Sequence, residues 1–178
     1  MTAQPSILVA GIGNIFLGDD AFGCEVARQL SRHSWPKNVR VVDFGIRGFD
    51  LAYAMLEGYD VTIFVDATPR GDAPGTLYTI EPDLTELDNP DSSDSQAVVD
   101  THDMNPLKVL RIVKLMGWPF KKVLLVGCEP QTFGPEEGMM GLSAPVRAAV
   151  PEAVKIVESL VNEHLIGPKK EERNGQET

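Results

Sequence analysis

Four side chains that could form a metal or acid–base site stand at the ends of predicted strands and helices. Asp20 follows the first predicted strand, Asp43 ends the second, Asp66 ends the third, and His102 stands just before a helix. In open α/β sheets the functional crevice lies beyond the carboxyl ends of the strands, where these side chains can converge. Two carboxylates and one imidazole, from Asp20, Asp66 and His102, suit a borderline divalent metal such as nickel or zinc. The pattern therefore indicates a metal site with positions left open for substrate.

Each of these residues also has an ordinary structural explanation. An Asp at a strand end is often a turn former, and His102 can be a neighbour of a helix cap or a solvated loop residue. Cys128 with His102 would be a thiol nucleophile and its base, although a cysteine at the end of a buried strand is usually core. The chain has no GxSxG, HExxH or P-loop motif. Spacing alone leaves these alternatives open.

The stretch before Asp20 has the pattern of a strand, a glycine turn and a helix entrance. Residues 7–10 are apolar and too few for a helix, which predicts a buried central strand of a parallel sheet. Gly11 and Gly13 are expected to allow a tight turn with unusual backbone angles. Asp19 and Asp20 then precede a helical pattern. One of them is expected to cap that helix, which leaves the other without this role.

A dinucleotide-binding loop is the main alternative for this stretch, and the sequence argues against it. A GxGxxG fingerprint that began at Gly11 would require glycine at position 16, where the chain has Phe16, and Gly18 is out of register. Two carboxylates beside the helix N-terminus would also repel a pyrophosphate. We therefore reject this interpretation.

The alternation of strand and helix patterns predicts a three-layer α/β/α sandwich with a mostly parallel sheet. Apolar or alternating runs predict strands at 7–10, 39–43, 61–65, 76–81 and 123–127, and apolar stripes predict helices at 21–31, 49–56, 107–116 and 143–165. The strand at 61–65 is expected to be central and that at 76–81 to be an edge or antiparallel strand. Residues 82–100 are predicted to form an acidic surface loop, and Pro151 to kink or split the last helix.

Composition places limits on the partners and the location of the protein. The 178 residues predict one domain at 1–166 and a disordered polar tail at 167–178. A net charge of −10 argues against nucleic acid or an anionic membrane as a partner. Two cysteines are too few for a disulfide framework, so we expect reduced thiols and a cytoplasmic location. No apolar run is long enough to span a membrane, and a monomer is expected.

Five motifs between Ser6 and Leu165 resemble those of the [NiFe]-hydrogenase maturation endopeptidases. They are, in chain order, GIGNIFLGDDAFG, FVDAT, THD, GCEP and GLSAPV. The resemblance implies a three-layer sandwich with a mixed five-stranded sheet. It also implies that Asp20, Asp66 and His102 match the three residues with which the family contacts the nickel of its substrate. The segment DFGIRG resembles the family's D-x-G-T-x-G loop but has Ile46 where threonine is expected, and Asp43 is retained as a catalytic or substrate-contacting candidate.

The implied function is removal of the C-terminal extension of a hydrogenase large-subunit precursor after nickel insertion. Nickel would arrive with the substrate, no organic cofactor is implied, and no nucleophilic Ser or Cys is needed if the metal polarises the scissile carbonyl or activates water. Two alternatives from other classes stay open. One is a checkpoint or chaperone that binds the nickel-loaded subunit without cutting it, and the other is an unrelated metallohydrolase on the same fold.

Overall fold

Five segments rich in Val, Ile and Leu form one mixed sheet in the computed structural model, which describes residues 3–88, 105–119 and 121–167. The strands are β1 (Ile7–Ile12), β2 (Val39–Gly45), β3 (Val61–Ala67), β4 (Leu77–Ile80) and β5 (Lys122–Cys128). The helices are α1 (Phe22–Leu30), α2 (Gly48–Met55), α3 (Pro106–Leu115) and α4 (Ala144–Ile166). Short 3-10 helices lie at Gly18–Ala21 and Leu84–Asp88. Elements of both kinds follow one another in the order that the sequence predicts.

The strand order β2-β1-β3-β5-β4 confirms the predicted mixed sandwich. The neighbours from β2 to β5 are parallel, and β4 runs antiparallel to β5 at one edge. β3 is central and buried along its whole length, because both of its faces are covered by helices. The expectations for the central strand and for the edge strand are therefore both confirmed.

Alternate residues of the strands pack into two cores, since strand side chains alternate between the faces of a sheet. Ile63 and Val65 belong to the cluster that includes α1 and α4, whereas Phe64 belongs to the cluster with α2 and α3. The apolar stripe predicted for α1 is completely buried and consists of Phe22, Val26 and Leu30. Helix α1 thus lies on the sheet with the face that its sequence pattern predicts.

Two expectations about the glycine turn and the last helix are wrong in part. β1 continues through Gly11, which has ordinary strand angles, and the positive φ of +145° occurs at Gly13. Helix α4 runs without interruption through Pro151 and is not split there. The missing N–H of this proline is tolerated because buried side chains on both sides of it hold the helix against the sheet. These side chains are Val146, Val150, Val154, Val157 and Val161.

The predicted acidic loop at 82–100 is described only in its first part. Residues Leu84–Asp88 form a 3-10 helix, and Leu84 and Leu87 pack against the core beneath α2 and α3. The rest of this predicted loop, and the predicted tail from residue 168 onward, lie outside the described residues.

Helix α1 approaches the sheet so closely that a side chain is excluded at Gly23. A Cβ atom at this position would lie 2.1 Å from the carbonyl oxygen of Val65 and 2.3 Å from that of Ile12. Both obstacles are backbone atoms of buried strands, so they cannot move aside without shifting the sheet. Gly23 therefore sets the distance between α1 and the two strands whose ends carry the predicted site.

We expect Gly23→Ala to lower the free energy of unfolding by about 3 kcal/mol or more, because overpacking against backbone cannot be relieved by a rotamer change. Gly117→Ala is the matched control, since Gly117 has φ +79° but no atom near its missing Cβ. It should cost only about 1 kcal/mol, the penalty of the left-handed backbone. Urea unfolding followed by circular dichroism checks both, and equal losses in the two variants would contradict the close-contact explanation.

Candidate functional site

The carboxyl ends of β1 and β3 form the topological switch point of the sheet. From β1 the chain proceeds to β2 on one side, and from there it crosses to β3 on the other. Ligands of open α/β sheets bind in the crevice at such a point. Asp20 lies in the 3-10 helix after β1, and Asp66 is the last residue but one of β3. The switch point therefore carries two of the three predicted metal-contacting residues.

Asp20 is held by the backbone of the loop that precedes it. The Asn14 N–H donates to Oδ2 of Asp20 at 2.8 Å, and Oδ1 of Asn14 accepts from the Phe16 N–H at 3.0 Å. A Cβ at Gly13 would lie only 1.8 Å from the backbone oxygen of Asp20, so only glycine fits there. The glycine turn thus folds back onto Asp20 and orients its carboxylate, which is half-buried.

The thiol of Cys24 lies within electrostatic range of all three predicted aspartates. Burial raises the pKa of Cys24 far above its usual value, and the negative charges of Asp43, Asp20 and Asp66 raise the pKa further. The thiol donates to the carbonyl oxygen of Gly13 at 3.4 Å. Asp20, Asp43 and Asp66 therefore all lie close enough to the first turn of α1 to act on this thiol. Asp66 is 6% exposed, whereas Asp43 is exposed to solvent.

The predicted imidazole, His102, lies outside the described residues. Within residues 3–88, 105–119 and 121–167, no group of three or more His, Cys, Asp or Glu side chains is arranged to hold a metal ion. Asp20 and Asp66 both take part in polar or electrostatic interactions. The described part of the site thus consists of three carboxylates, those of Asp20, Asp43 and Asp66, which all act on the Cys24 thiol.

Neither cysteine is suited to act as a nucleophile. Both are free and buried, as expected for reduced thiols. Burial, followed by the charges of Asp19 and Glu129, raises the pKa of Cys128 to about 12. The thiolate is the reactive form, and its population near neutral pH is negligible at such a pKa. The alternative of Cys128 as an attacking thiol is therefore disfavoured.

Two cavities meet beside Asp43. The larger has a volume of about 660 Å³ and the smaller about 350 Å³, and both are lined by Ile15, Cys24 and Asp43. Ile46, which stands where the resembling family has threonine, is 47% exposed and lines the smaller cavity. An apolar side chain thus replaces the expected hydroxyl on a surface open to a ligand.

Asp19 has a structural role that the sequence pattern does not reveal. Its carboxylate is 0% exposed and accepts four hydrogen bonds, from the N–H groups of Gln131, Thr132 and Ser143 and from the Ser143 hydroxyl. Burial alone would raise the pKa of Asp19, but these hydrogen bonds outweigh it and hold the pKa below its usual range. Ser143 occupies the N-cap position of α4 as predicted, yet its hydroxyl binds Asp19 instead of capping its own helix.

Glu129 is a second buried carboxylate that the sequence analysis does not single out. It accepts from the N–H groups of Arg70 and Gly71 at 2.8 and 3.1 Å and from the Tyr78 hydroxyl at 2.7 Å. The Tyr78 hydrogen bond and these backbone N–H groups hold the pKa of Glu129 below its usual range, against the opposing effect of burial. An acid directly after a buried strand, as in GCEP, is the same signal that points to Asp43 and Asp66. Here that signal marks a residue that shapes the loop after β3.

Comparison with known proteins agrees with the motifs. The family model described as hydrogenase maturation protease matches residues 24–160. A protein of Methanocaldococcus jannaschii, provisionally named a hydrogenase maturation protease, is 34% identical over 155 residues, which are 86% of this chain and 95% of that protein. The chain belongs to the hydrogenase maturation protease family. The family match begins after Asp20, so it is independent of the opening glycine motif.

Solved structures of hydrogenase maturation proteases share the fold. The maturating endopeptidase HybD of Escherichia coli superposes with a TM-score of 0.68 at 27% identity, over 88% of this chain and 92% of HybD. The hydrogenase 2 maturation peptidase of a Thaumarchaeota archaeon superposes with a TM-score of 0.64 at 34% identity, over 89% of this chain and 99% of that peptidase. The expectations of this family, of its five-stranded α/β fold and of peptidase activity are confirmed.

We expect Asp19→Asn to lower the free energy of unfolding by about 2–4 kcal/mol at pH 7. An amide oxygen cannot accept all four hydrogen bonds, and the buried NH2 group of the amide would face N–H and O–H donors instead of acceptors. Asp50→Asn is the control, because Asp50 is exposed and its carboxylate accepts from Arg47 across 3.5 Å. Its cost should stay below about 1 kcal/mol. A loss in Asp19→Asn as small as in the control would contradict the anchoring role.

The stabilisation by Asp19 should depend on pH in a defined direction. Because the pKa of Asp19 is lower in the folded than in the unfolded chain, its contribution is complete above the ordinary value of 3.8 and is lost as pH falls through the folded pKa. The stability difference between the wild type and Asp19→Asn should therefore shrink below pH 4. Urea unfolding between pH 7 and pH 3 checks this, and a difference that grows toward acid would refute it.

Proposed function

We propose that this protein removes the C-terminal extension from the nickel-loaded precursor of a [NiFe]-hydrogenase large subunit. The observation that carries the proposal is the placement of Asp20 and Asp66 at the switch point of a hydrogenase maturation protease fold. Relatives with solved structures are named as hydrogenase maturation peptidases, which supports the same reaction for this chain.

In this proposal nickel is part of the substrate and contacts Asp20, Asp66 and His102. Carboxylate oxygens and an imidazole nitrogen are suitable donors for nickel, and three of them leave positions for ligands from the precursor. His102 enters from its match to the family motif. The nickel would polarise the scissile carbonyl or activate water, so the reaction needs no thiol. This agrees with the raised pKa values of Cys24 and Cys128.

Asp43 has a different role in this proposal. It is exposed, lines both cavities and lies within range of Cys24, so it contacts the precursor chain and is a candidate general base. Oδ1 of its carboxylate accepts from the Gly45 N–H at 3.0 Å, and the Cys24 side chain interacts with the same carboxylate. The Gly45 hydrogen bond orients the Asp43 carboxylate where the two cavities meet.

The remaining expectations, about the cofactor, the oligomeric state and the location, stay predictions. They are the absence of an organic cofactor, the monomeric state and the cytoplasmic location. None of the helices in the described residues is long and apolar enough to cross a membrane.

The proposal predicts that Asp20→Ala, Asp66→Ala and His102→Ala each slow processing of a nickel-loaded precursor by about 100-fold or more, because each removes a contact to the metal. The readout is the intact mass of the precursor over time, with unfolding midpoints measured beside it. Asp83→Ala is the control, since Asp83 is exposed and its carboxylate accepts from Thr85 in its own turn.

Two results would overturn the proposal. Processing at the wild-type rate by the three variants would exclude nickel contact by these residues. A wild-type protein that forms a complex with the nickel-loaded precursor but leaves its mass unchanged would favour the checkpoint alternative.

A further inference from the structure

The larger cavity runs between α1 and the first turns of α4 and is called here the α1–α4 groove. Its lining includes Cys24 and Arg28 of α1, Met140 of the preceding loop, and Arg147 and Val150 of α4. The volume of about 660 Å³ lies within the range of roughly 300–1,000 Å³ that ligand pockets have. The groove is therefore large enough to hold several residues of an extended peptide.

The α1–α4 groove is continuous with the proposed active site. Asp43 and Cys24 line both cavities, and the Cys24 thiol lies within electrostatic range of Asp20 and Asp66. Arg147 lines the larger cavity and is absent from the lining of the smaller one. A chain that enters at the carboxylates can thus continue along the groove toward Arg147.

Arg147 contributes a positive charge to this groove and has no anionic partner among the described residues. Its Nη2 donates to the carbonyl oxygen of Leu142 at 3.1 Å, which fixes the guanidinium at the groove but uses one of five N–H donors. The other arginine, Arg28, is paired with Glu25. In a protein with a net charge of −10, an exposed guanidinium held in place without a carboxylate is suited to bind one from a ligand.

The walls of the groove suit an apolar side chain beside that carboxylate. Ile15 is 45% exposed and Met140 is 67% exposed, and both line the groove together with Val150 and Pro151. Methionine adapts its shape to different apolar partners. The groove thus offers apolar contacts together with the guanidinium of Arg147.

We propose that the α1–α4 groove binds the C-terminal extension of the precursor, and that Arg147 pairs with a carboxylate of this peptide. The inference rests on the proposed function and makes Arg147 a specificity-determining residue that acts on binding and not on the chemical step. The carboxylate is either an acidic side chain of the extension or its terminal carboxyl group, since a guanidinium binds both in the same way.

The test compares Arg147→Gln with wild type on the nickel-loaded precursor. We expect KM to rise about 10-fold while kcat changes less than 2-fold, because a contact to a remote part of the substrate is lost. Arg147→Lys, which keeps the charge, should recover part of the affinity. Arg32→Gln is the matched control, since Arg32 is exposed but does not line the groove. An unchanged KM in Arg147→Gln would overturn the proposal.

Two modified precursors identify the carboxylate. One has every Asp and Glu of the extension changed to the corresponding amide, and the other has a C-terminal carboxamide. With the precursor that lacks the partner of Arg147, wild type and Arg147→Gln should have the same KM, as in a double-mutant cycle. A 10-fold penalty that persists with both precursors would show that Arg147 does not bind a carboxylate of the extension.

Binding of the free extension peptide separates this inference from the proposed function. A fluorescently labelled synthetic extension should bind wild type more tightly than Arg147→Gln by about 10-fold in fluorescence anisotropy. If the wild type cut no precursor yet bound the peptide in this manner, the proposed function would fail and the groove assignment would stand. Equal affinities would overturn the groove assignment even if processing were normal.

Discussion

The buried carboxylate of Asp19 is the interaction on which the architecture of the site depends. Among the described residues no cation pairs with it, and its charge is stabilised by four N–H and O–H donors. These donors belong to the segment after β5 and to the first residue before α4, which are more than 110 residues away in the chain. One carboxylate therefore joins the β1 loop to the beginning of α4. Because Asp20 is the next residue, this anchor also places the proposed nickel contact.

Backbone hydrogen bonds extend this connection toward the groove. The Gly18 N–H donates to the carbonyl oxygen of Met139 at 2.8 Å, and the Met139 N–H donates to that of Phe16 at 2.7 Å. The loop that carries Met140 is thus tied to the loop that carries Ile15. Together with the close packing of α1 at Gly23, these contacts determine where the walls of the groove lie. The proposed binding groove and the carboxylates are therefore connected through the same backbone hydrogen bonds.

Sequence periodicity was sufficient to predict those strands and helices whose position depends on the burial of apolar side chains. Residues 61–65 are apolar and β-branched, and the central strand β3 includes them because a strand covered on both faces needs such residues. The position of Asp66 near the end of that strand followed from the same pattern. The family motifs added the five-stranded sheet, and the comparisons confirm that assignment.

Polar contacts between residues far apart in the chain could not be predicted from the sequence pattern. Asp19 and Asp20 are identical neighbours, and only their partners in the fold distinguish a buried anchor from a residue at the switch point. Gly11 was expected to provide an unusual backbone angle, but it is required because Gly23 and Ala27 pack against it. Arg147 carried no local signal at all, since the absence of a carboxylate beside it is a property of the folded surface. His102 is assigned from its motif alone.

In the proposed function, the nickel of the precursor completes the active site of this hydrogenase maturation protease. The most direct measurement is the intact mass of a nickel-loaded precursor and of the same precursor without nickel, after incubation with wild-type protein. We expect loss of a C-terminal peptide only from the nickel-loaded sample. Cleavage of both samples at equal rates would contradict it, because the carboxylates would then act without the metal that they are proposed to contact.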